Sequence, residues 1–148
     1  MKIVIGNDHA GTDMKNEIVN YLKNKGHEII DVGTNDTVSC DYPAFAEKAA
    51  IKVLDKEARL GILICGTGVG LSIAANKIPG IRACCCSDEF SAKMSRQHNN
   101  ANMLTFGAKV VNLKTAFLLV DAFLGSEFEG ERHQRRVDMI ADLERKYH

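Results

Sequence analysis

The run Leu60-Gly61-Ile62-Leu63-Ile64-Cys65 carries no polar residue at any position. A strand of that kind has no face suited to water, so it belongs in the middle of a sheet covered on both sides. Shorter apolar runs recur along the chain, with amphipathic stretches between them. Lys2-Ile3-Val4-Ile5 is followed by Met14, Ile18, Val19 and Leu22 at helical spacing, and Gly26 ends that helix. Glu28-Ile29-Ile30-Asp31-Val32 forms a second strand, with a polar loop from Gly33. Tyr42-Pro43 opens a helix through Phe45, Ala46, Ala49, Ala50, Val53 and Leu54, Pro43 being suited to its first turn. After Leu60 to Cys65, a glycine loop enters a helix that ends near Lys77. Ile81 to Cys86 is a fourth strand, and Asp88 caps the helix that carries Phe90, Ala92, Met94 and Ser95. Met103 to Phe106 is the fifth strand, and Val110 to Leu124 and Arg132 to Tyr147 are the final helices. This alternation predicts one α/β domain over residues 1–148, with a parallel sheet between helical layers.

Ligands of such sheets sit beyond the carboxyl ends of the strands. Asp8-His9, Cys65 to Gly70 and Ser87-Asp88 all follow strands, so three loops are expected to converge on one edge. Composition narrows the ligand. Lys plus Arg and Asp plus Glu both total 19, a neutral balance that argues against nucleic acid as the main partner. No segment approaches the roughly 20 apolar residues that span a bilayer, so no membrane partner is expected. The chain starts directly on Met-Lys-Ile-Val-Ile without a signal-like stretch, and a cytoplasmic location with reduced thiols is expected.

Gly66, Gly68 and Gly70 lie between a buried strand and a helix. Backbone N–H groups there can form a nest for developing negative charge, reinforced by the helix N-terminus. The plainer alternative is a tight turn. No Gly-Lys-Ser/Thr follows, which excludes a P-loop. Cys65 stands at the mouth of this loop, where N–H groups and the helix end favour a thiolate. It serves there as a base or as a small core residue. Thr67 is near enough to hydrogen-bond the sulfur. The run Cys84-Cys85-Cys86 reads as strand packing, since neighbouring strand residues point to opposite faces. His9 follows Asp8 at a strand end. His98 lies in the polar stretch Arg96-Gln97-His98-Asn99-Asn100, a pocket wall or a solvent-facing turn. No pair of histidines has zinc-site spacing and no carboxylates cluster with them, so no metal is expected. Arg132 and Arg136, at i and i+4, share one helix face and suit a dianionic phosphate; a solvated face balanced by Glu129, Glu131 and Asp138 is the alternative. Together these groups make a kit for proton transfer on a small phosphorylated carbon chain.

The stretches Ile5-Gly6-Asn7-Asp8-His9-Ala10-Gly11, Asp41-Tyr42-Pro43, Gly61 to Gly70, Ala74 to Lys77, Pro79 to Ala83 and Ser95 to Asn102 closely resemble the ribose-5-phosphate isomerase B family. That family also includes the galactose-6-phosphate isomerase subunits, and the likeness covers essentially the whole chain. The resemblance implies a Rossmann-like three-layer α/β/α domain with a five-stranded parallel sheet of order 2-1-3-5-4. It implies an aldose–ketose isomerase acting on a small-molecule sugar phosphate, without metal or organic cofactor, as a homodimer or dimer of dimers with shared pockets. Cys65 aligns with the base and Thr67 with its assistant, and Gly66, Thr67, Gly68, Val69 and Gly70 form the anion-stabilising loop. His98 aligns with the ring-opening acid, Asp8 and Asn99 with sugar-binding positions, and His9, Arg132 and Arg136 with phosphate-binding ones. A further basic position, supplied in the family from the neighbouring subunit, falls on Lys109. Relatives with a glutamate base carry it where this chain has Ala74-Ala75, which leaves Cys65. Galactose-type subunits depart at the His98-Asn99 pair, and its retention favours ribose 5-phosphate over galactose 6-phosphate or allose 6-phosphate. A non-catalytic phosphate- or nucleotide-binding protein would leave Cys65 and His98 without roles.

Overall fold

In the computed structural model, which describes residues 1–148, the apolar runs form five parallel strands. They are β1 (Lys2–Asn7), β2 (Glu28–Asp31), β3 (Leu60–Cys65), β4 (Ala83–Cys85) and β5 (Met103–Gly107), in the order β2-β1-β3-β5-β4. This is the sheet that the resemblance implies. β3 is central and buried throughout, paired with β1 from Ile3↔Leu60 to Asn7↔Ile64 and with β5 from Gly61↔Met103 to Cys65↔Gly107.

The two-residue period of β3 divides its side chains between two cores. Ile62 and Ile64 join Ile18 and Leu22 of α1 (Thr12–Asn24), Ala92 of α4 (Glu89–Asn99), and Leu119 and Phe123 of α5 (Leu113–Leu124). Leu63 and Cys65 face the opposite layer. There α2 (Pro43–Leu54) and α3 (Val69–Asn76) contribute Ala46, Ala49, Ala50, Leu71 and Ala75. Each fully buried Leu or Ile adds about 1.5–3 kcal/mol, so β3 anchors both layers. The sixth helix, α6 (Arg132–Tyr147), packs on α4 and buries His133 and Val137. No helix is long and apolar enough to cross a membrane.

Two boundaries differ from the sequence expectation. β4 is shorter than Ile81 to Cys86 chiefly at its start, where Ile81 N donates to Ile78 O at 3.1 Å and leaves the ladder; Cys86 N still reaches Thr105 O at 3.0 Å. Asn102 Oδ1 takes Arg82 N at 2.8 Å, and the Asn76 amide bonds both N and O of Ala83, the first strand residue, at 2.8 and 2.9 Å. α5 begins at Leu113 rather than Val110. Val110 and Val111 both donate to Gly107 O in a turn, and Asn112 caps the helix through Thr115 N at 2.8 Å.

The topology fixes where functional groups can meet. Cys65 ends β3, and Asp8 and Lys109 lie just beyond the carboxyl ends of β1 and β5. α4 runs back antiparallel to the strands, so His98 and Asn99 at its end lie by the start of β5. Asn100 makes the turn between them with φ 47°. The length of β5, roughly 13 Å at strand rise, separates the two edges.

Candidate active site

At the carboxyl edge, β3 delivers Cys65, 5% exposed, to the floor of an open cleft. Asp8, Tyr42, Gly66, Thr67, Val69, Gly70, Ile73 and Lys109 line it. Gly68 takes φ +83° as the residue before α3, and its N–H donates to Cys65 Sγ at 3.1 Å. The N–H groups of Gly66, Thr67 and Gly70 have no hydrogen-bond partner within the chain. The nest is therefore vacant of protein acceptors, as a site for an oxyanion requires. Asp8 is nearly buried and accepts from Ala10 N at 2.9 Å, which fixes its carboxylate at the head of a 3₁₀ turn, His9–Gly11. His9 Nδ1 accepts from Cys40 N at 3.3 Å. Lys109 is tied to the loop by its backbone, N–H to Gly66 O at 3.0 Å, and its side chain forms no salt bridge.

A second cluster lies at the other edge. The rings of His98 and His133 stack at 4.1 Å and 9°. Glu129 Oε1 lies 3.6 Å from the Nε2 of each, and Glu129 N donates to Gln97 O at 3.0 Å. Burial pushes the His133 pKa below the ordinary histidine value, and the charges of Arg132 and His98 act in the same direction. Arg132 and Arg136 are exposed on α6 and pair with no carboxylate. Asp138, expected as a balancing acid, bonds Gln134 instead at 2.8 Å. Asn99 lines an open groove with Ile140 and Leu143 of α6.

Several expectations are corrected. Lys109 belongs to the cleft of its own chain, beside Cys65, because the turn after β5 closes on Gly66. Gly68 N–H, not Thr67, meets the sulfur; Thr67 Oγ1 accepts from Val69 N at 3.2 Å, which leaves its hydroxyl proton free. Ser87-Asp88 does not join the other two loops, since Asp88 spends both oxygens on Ser91, at 2.7 and 2.8 Å. That contact draws the Asp88 pKa down. A carboxylate does cluster with histidines, namely Glu129. Cys84 is half-buried, Cys85 is exposed and Cys86 is buried, with its thiol pKa pushed up to about 12 by burial. Tyr42, Glu129 and His133 are not among the site residues expected from the sequence, where Tyr42 opens a helix and Glu129 balances charge. Only Tyr42, beside a proline at a loop exit, carried a local signal.

The loop geometry makes Gly68 a sensitive position. A Cβ there would lie 2.7 Å from the Phe106 backbone, on a residue with φ +83°. Gly68→Ala is expected to displace the loop and lower both turnover and melting temperature, whereas Gly26→Ala, strained in φ but in open space, affects only stability. Parallel kinetics and thermal melts check this.

The chain is an α/β protein with a thiol under a glycine nest at the sheet's carboxyl edge. The ribose/galactose isomerase family model matches residues 3–140, and the chain belongs to that family. It is 52% identical over 145 residues to ribose-5-phosphate isomerase B of Escherichia coli, covering 98% of this chain and 97% of the relative. Among solved structures, ribose-5-phosphate isomerase B of Clostridium thermocellum superposes with a TM-score of 0.98 at 51% identity, over 100% of both chains. The Mycoplasma genitalium enzyme of the same name, with bound ribulose 5-phosphate, gives a TM-score of 0.93 at 43% identity, over 98% of this chain and 97% of the other.

Proposed function

We propose that this protein interconverts D-ribose 5-phosphate and D-ribulose 5-phosphate without a metal or organic cofactor, in pockets built from two copies of the chain. The observation that carries the chemistry is Cys65 beneath a loop whose N–H groups have no protein acceptor. Family membership supplies the substrate class, and the bound ribulose 5-phosphate of the Mycoplasma genitalium relative supports the particular sugar.

In this reading His98 protonates the ring oxygen as the bond from C1 to that oxygen breaks, and the C1 hydroxyl releases its proton as the aldehyde forms. The Cys65 thiolate then removes the C2 proton. The negative charge passes to the carbonyl oxygen at C1, giving a cis-enediolate that the free N–H groups of the loop meet. The thiol returns its proton to C1, while a second proton moves from the C2 oxygen to the C1 oxygen. Thr67 and Asp8 assist that transfer in this reading, which the free hydroxyl proton of Thr67 supports. Arg132 and Arg136, with no carboxylate partner, bind the phosphate together with His9 and Lys109, and Asn99 holds a sugar hydroxyl.

Initial rates on ribose 5-phosphate, allose 6-phosphate, galactose 6-phosphate and unphosphorylated ribose test this reading. Ribose 5-phosphate is expected to have the highest kcat/KM. Free ribose should fall about 10- to 150-fold for each charge-assisted phosphate contact it lacks. A higher kcat/KM on a six-carbon sugar phosphate would overturn the substrate, and equal values for ribose and its phosphate would overturn the anion site.

A further inference from the structure

The histidine pair on α4 and α6 has an arrangement that proton transfer by His98 alone does not require. His133 is 5% exposed, and its Nε2 is inaccessible to solvent and without a hydrogen-bond partner. Buried ring nitrogens are normally satisfied, so this one points to an absent partner. It faces Glu129 Oε1 at 3.6 Å, beyond hydrogen-bond length, and His98 Nε2 stands at the same distance from that oxygen. The three donor atoms lie within 4.8 Å of one another, presented by α4, by the connection ahead of α6, and by α6 itself.

Two imidazoles and a carboxylate are a donor set that holds Zn²⁺ with one position left open. At bond lengths of about 2.1 Å, two ligand atoms on one tetrahedral ion stand about 3.4 Å apart, close to the 3.6 Å between Glu129 Oε1 and each ring nitrogen. Two features oppose binding. Arg132 and Arg136 repel a cation, and Glu129 offsets one of those charges. The near-parallel rings cannot both place one ion in their planes, so His98, the more exposed of the two, must turn out of the stack.

We propose that His98, Glu129 and His133 bind a divalent transition-metal ion of imidazole preference, such as Zn²⁺ or Co²⁺, and that the ion inhibits the isomerase by occupying the His98 nitrogen. The inhibition rests on the ring-opening role given to His98 above; the binding does not. Co²⁺ is the probe, because its absorption separates nitrogen and oxygen ligation from thiolate ligation by the five cysteines. Metal-free protein titrated calorimetrically and optically is expected to take one Co²⁺ per chain without a thiolate charge-transfer band. Glu129→Gln, a change at a half-exposed side chain, should weaken binding by more than the roughly 10–100-fold lost with an outer-shell partner. His133→Asn, with its fold checked by circular dichroism, should do the same. Inhibition of ribose 5-phosphate turnover should follow the binding curve and be reversed by EDTA. A thiolate spectrum, or unchanged affinity in both variants, would overturn the site. Binding without inhibition, in protein active before the metal is added, would overturn only its link to catalysis. A metal-free protein that is inactive would instead count against the isomerase reading.

Discussion

Cys65→Ala is expected to incorporate no deuterium at C2 of ribose 5-phosphate in D₂O, while binding the sugar phosphate nearly as well as the unaltered protein. The C2 proton is weakly acidic, and a base within reach of it typically contributes about 10²–10⁴-fold. Alanine removes that base but leaves the free N–H groups of Gly66, Thr67 and Gly70, Asp8, and the arginines proposed to bind phosphate, Arg132 and Arg136. The Gly68 N–H loses its sulfur acceptor, so a crystal structure or melting curve of the variant should accompany the kinetics. His98→Ala separates the second role. It should be slow on the cyclic sugar yet still exchange C2 protons on whatever open-chain substrate reaches the site. Exchange followed by NMR, with binding followed by calorimetry, distinguishes the two. Undiminished exchange by Cys65→Ala would assign the base to another group, and the mechanism would fall even with the isomerase activity intact.

The fold was legible because β3 has no polar position and each apolar run is followed by an amphipathic one. The strand order came from the resemblance, since periodicity does not say which strands are neighbours. Cys65 and the glycine loop were legible for a local reason: a strand, a turn and a helix N-terminus occur in immediate succession. The start of α5 was also written locally, in Asn112 three residues before Thr115, but the apolar Val110-Val111 pair suggested an earlier start. Other features depend on tertiary placement. Lys15 falls on a helix whose neighbours suggest a wet face, yet it is fully buried, because Asp31 and Asn35 each receive its ammonium at 2.7 Å. Glu129 and His133 become part of a cluster only when α6 folds back on α4. The direction of α4, antiparallel to the strands, carries His98 to the edge opposite Cys65. A list of site residues without that direction would place them in one pocket.

That separation leads to the second large effect, the rescue of activity by mixing two inactive variants. Within one chain, β5 stands between the edge that holds Cys65 and the edge that holds His98, Arg132 and Arg136, so the pocket proposed above needs a second copy. The surface is suited to one. The Cys65 cleft is rimmed by exposed Tyr42, Val69 and Ile73, and α6 exposes Met139, Ile140, Leu143 and Tyr147 along a helical stripe. Pairing these apolar surfaces across a two-fold axis would bring the α4–α6 cluster of each copy to the cleft of the other. Cys65→Ala and His98→Ala proteins, each nearly inactive, are therefore expected to regain turnover after subunit exchange. In a hybrid dimer one pocket carries both defects and the other carries neither. Random exchange at equal concentrations makes half of the dimers hybrids, each with one intact pocket, so recovery should reach about a quarter of the unaltered rate. Native mass spectrometry of the mixture verifies the hybrid fraction. Hybrids present with no recovered turnover would place Cys65 and His98 in the same single-chain site and overturn the shared pocket.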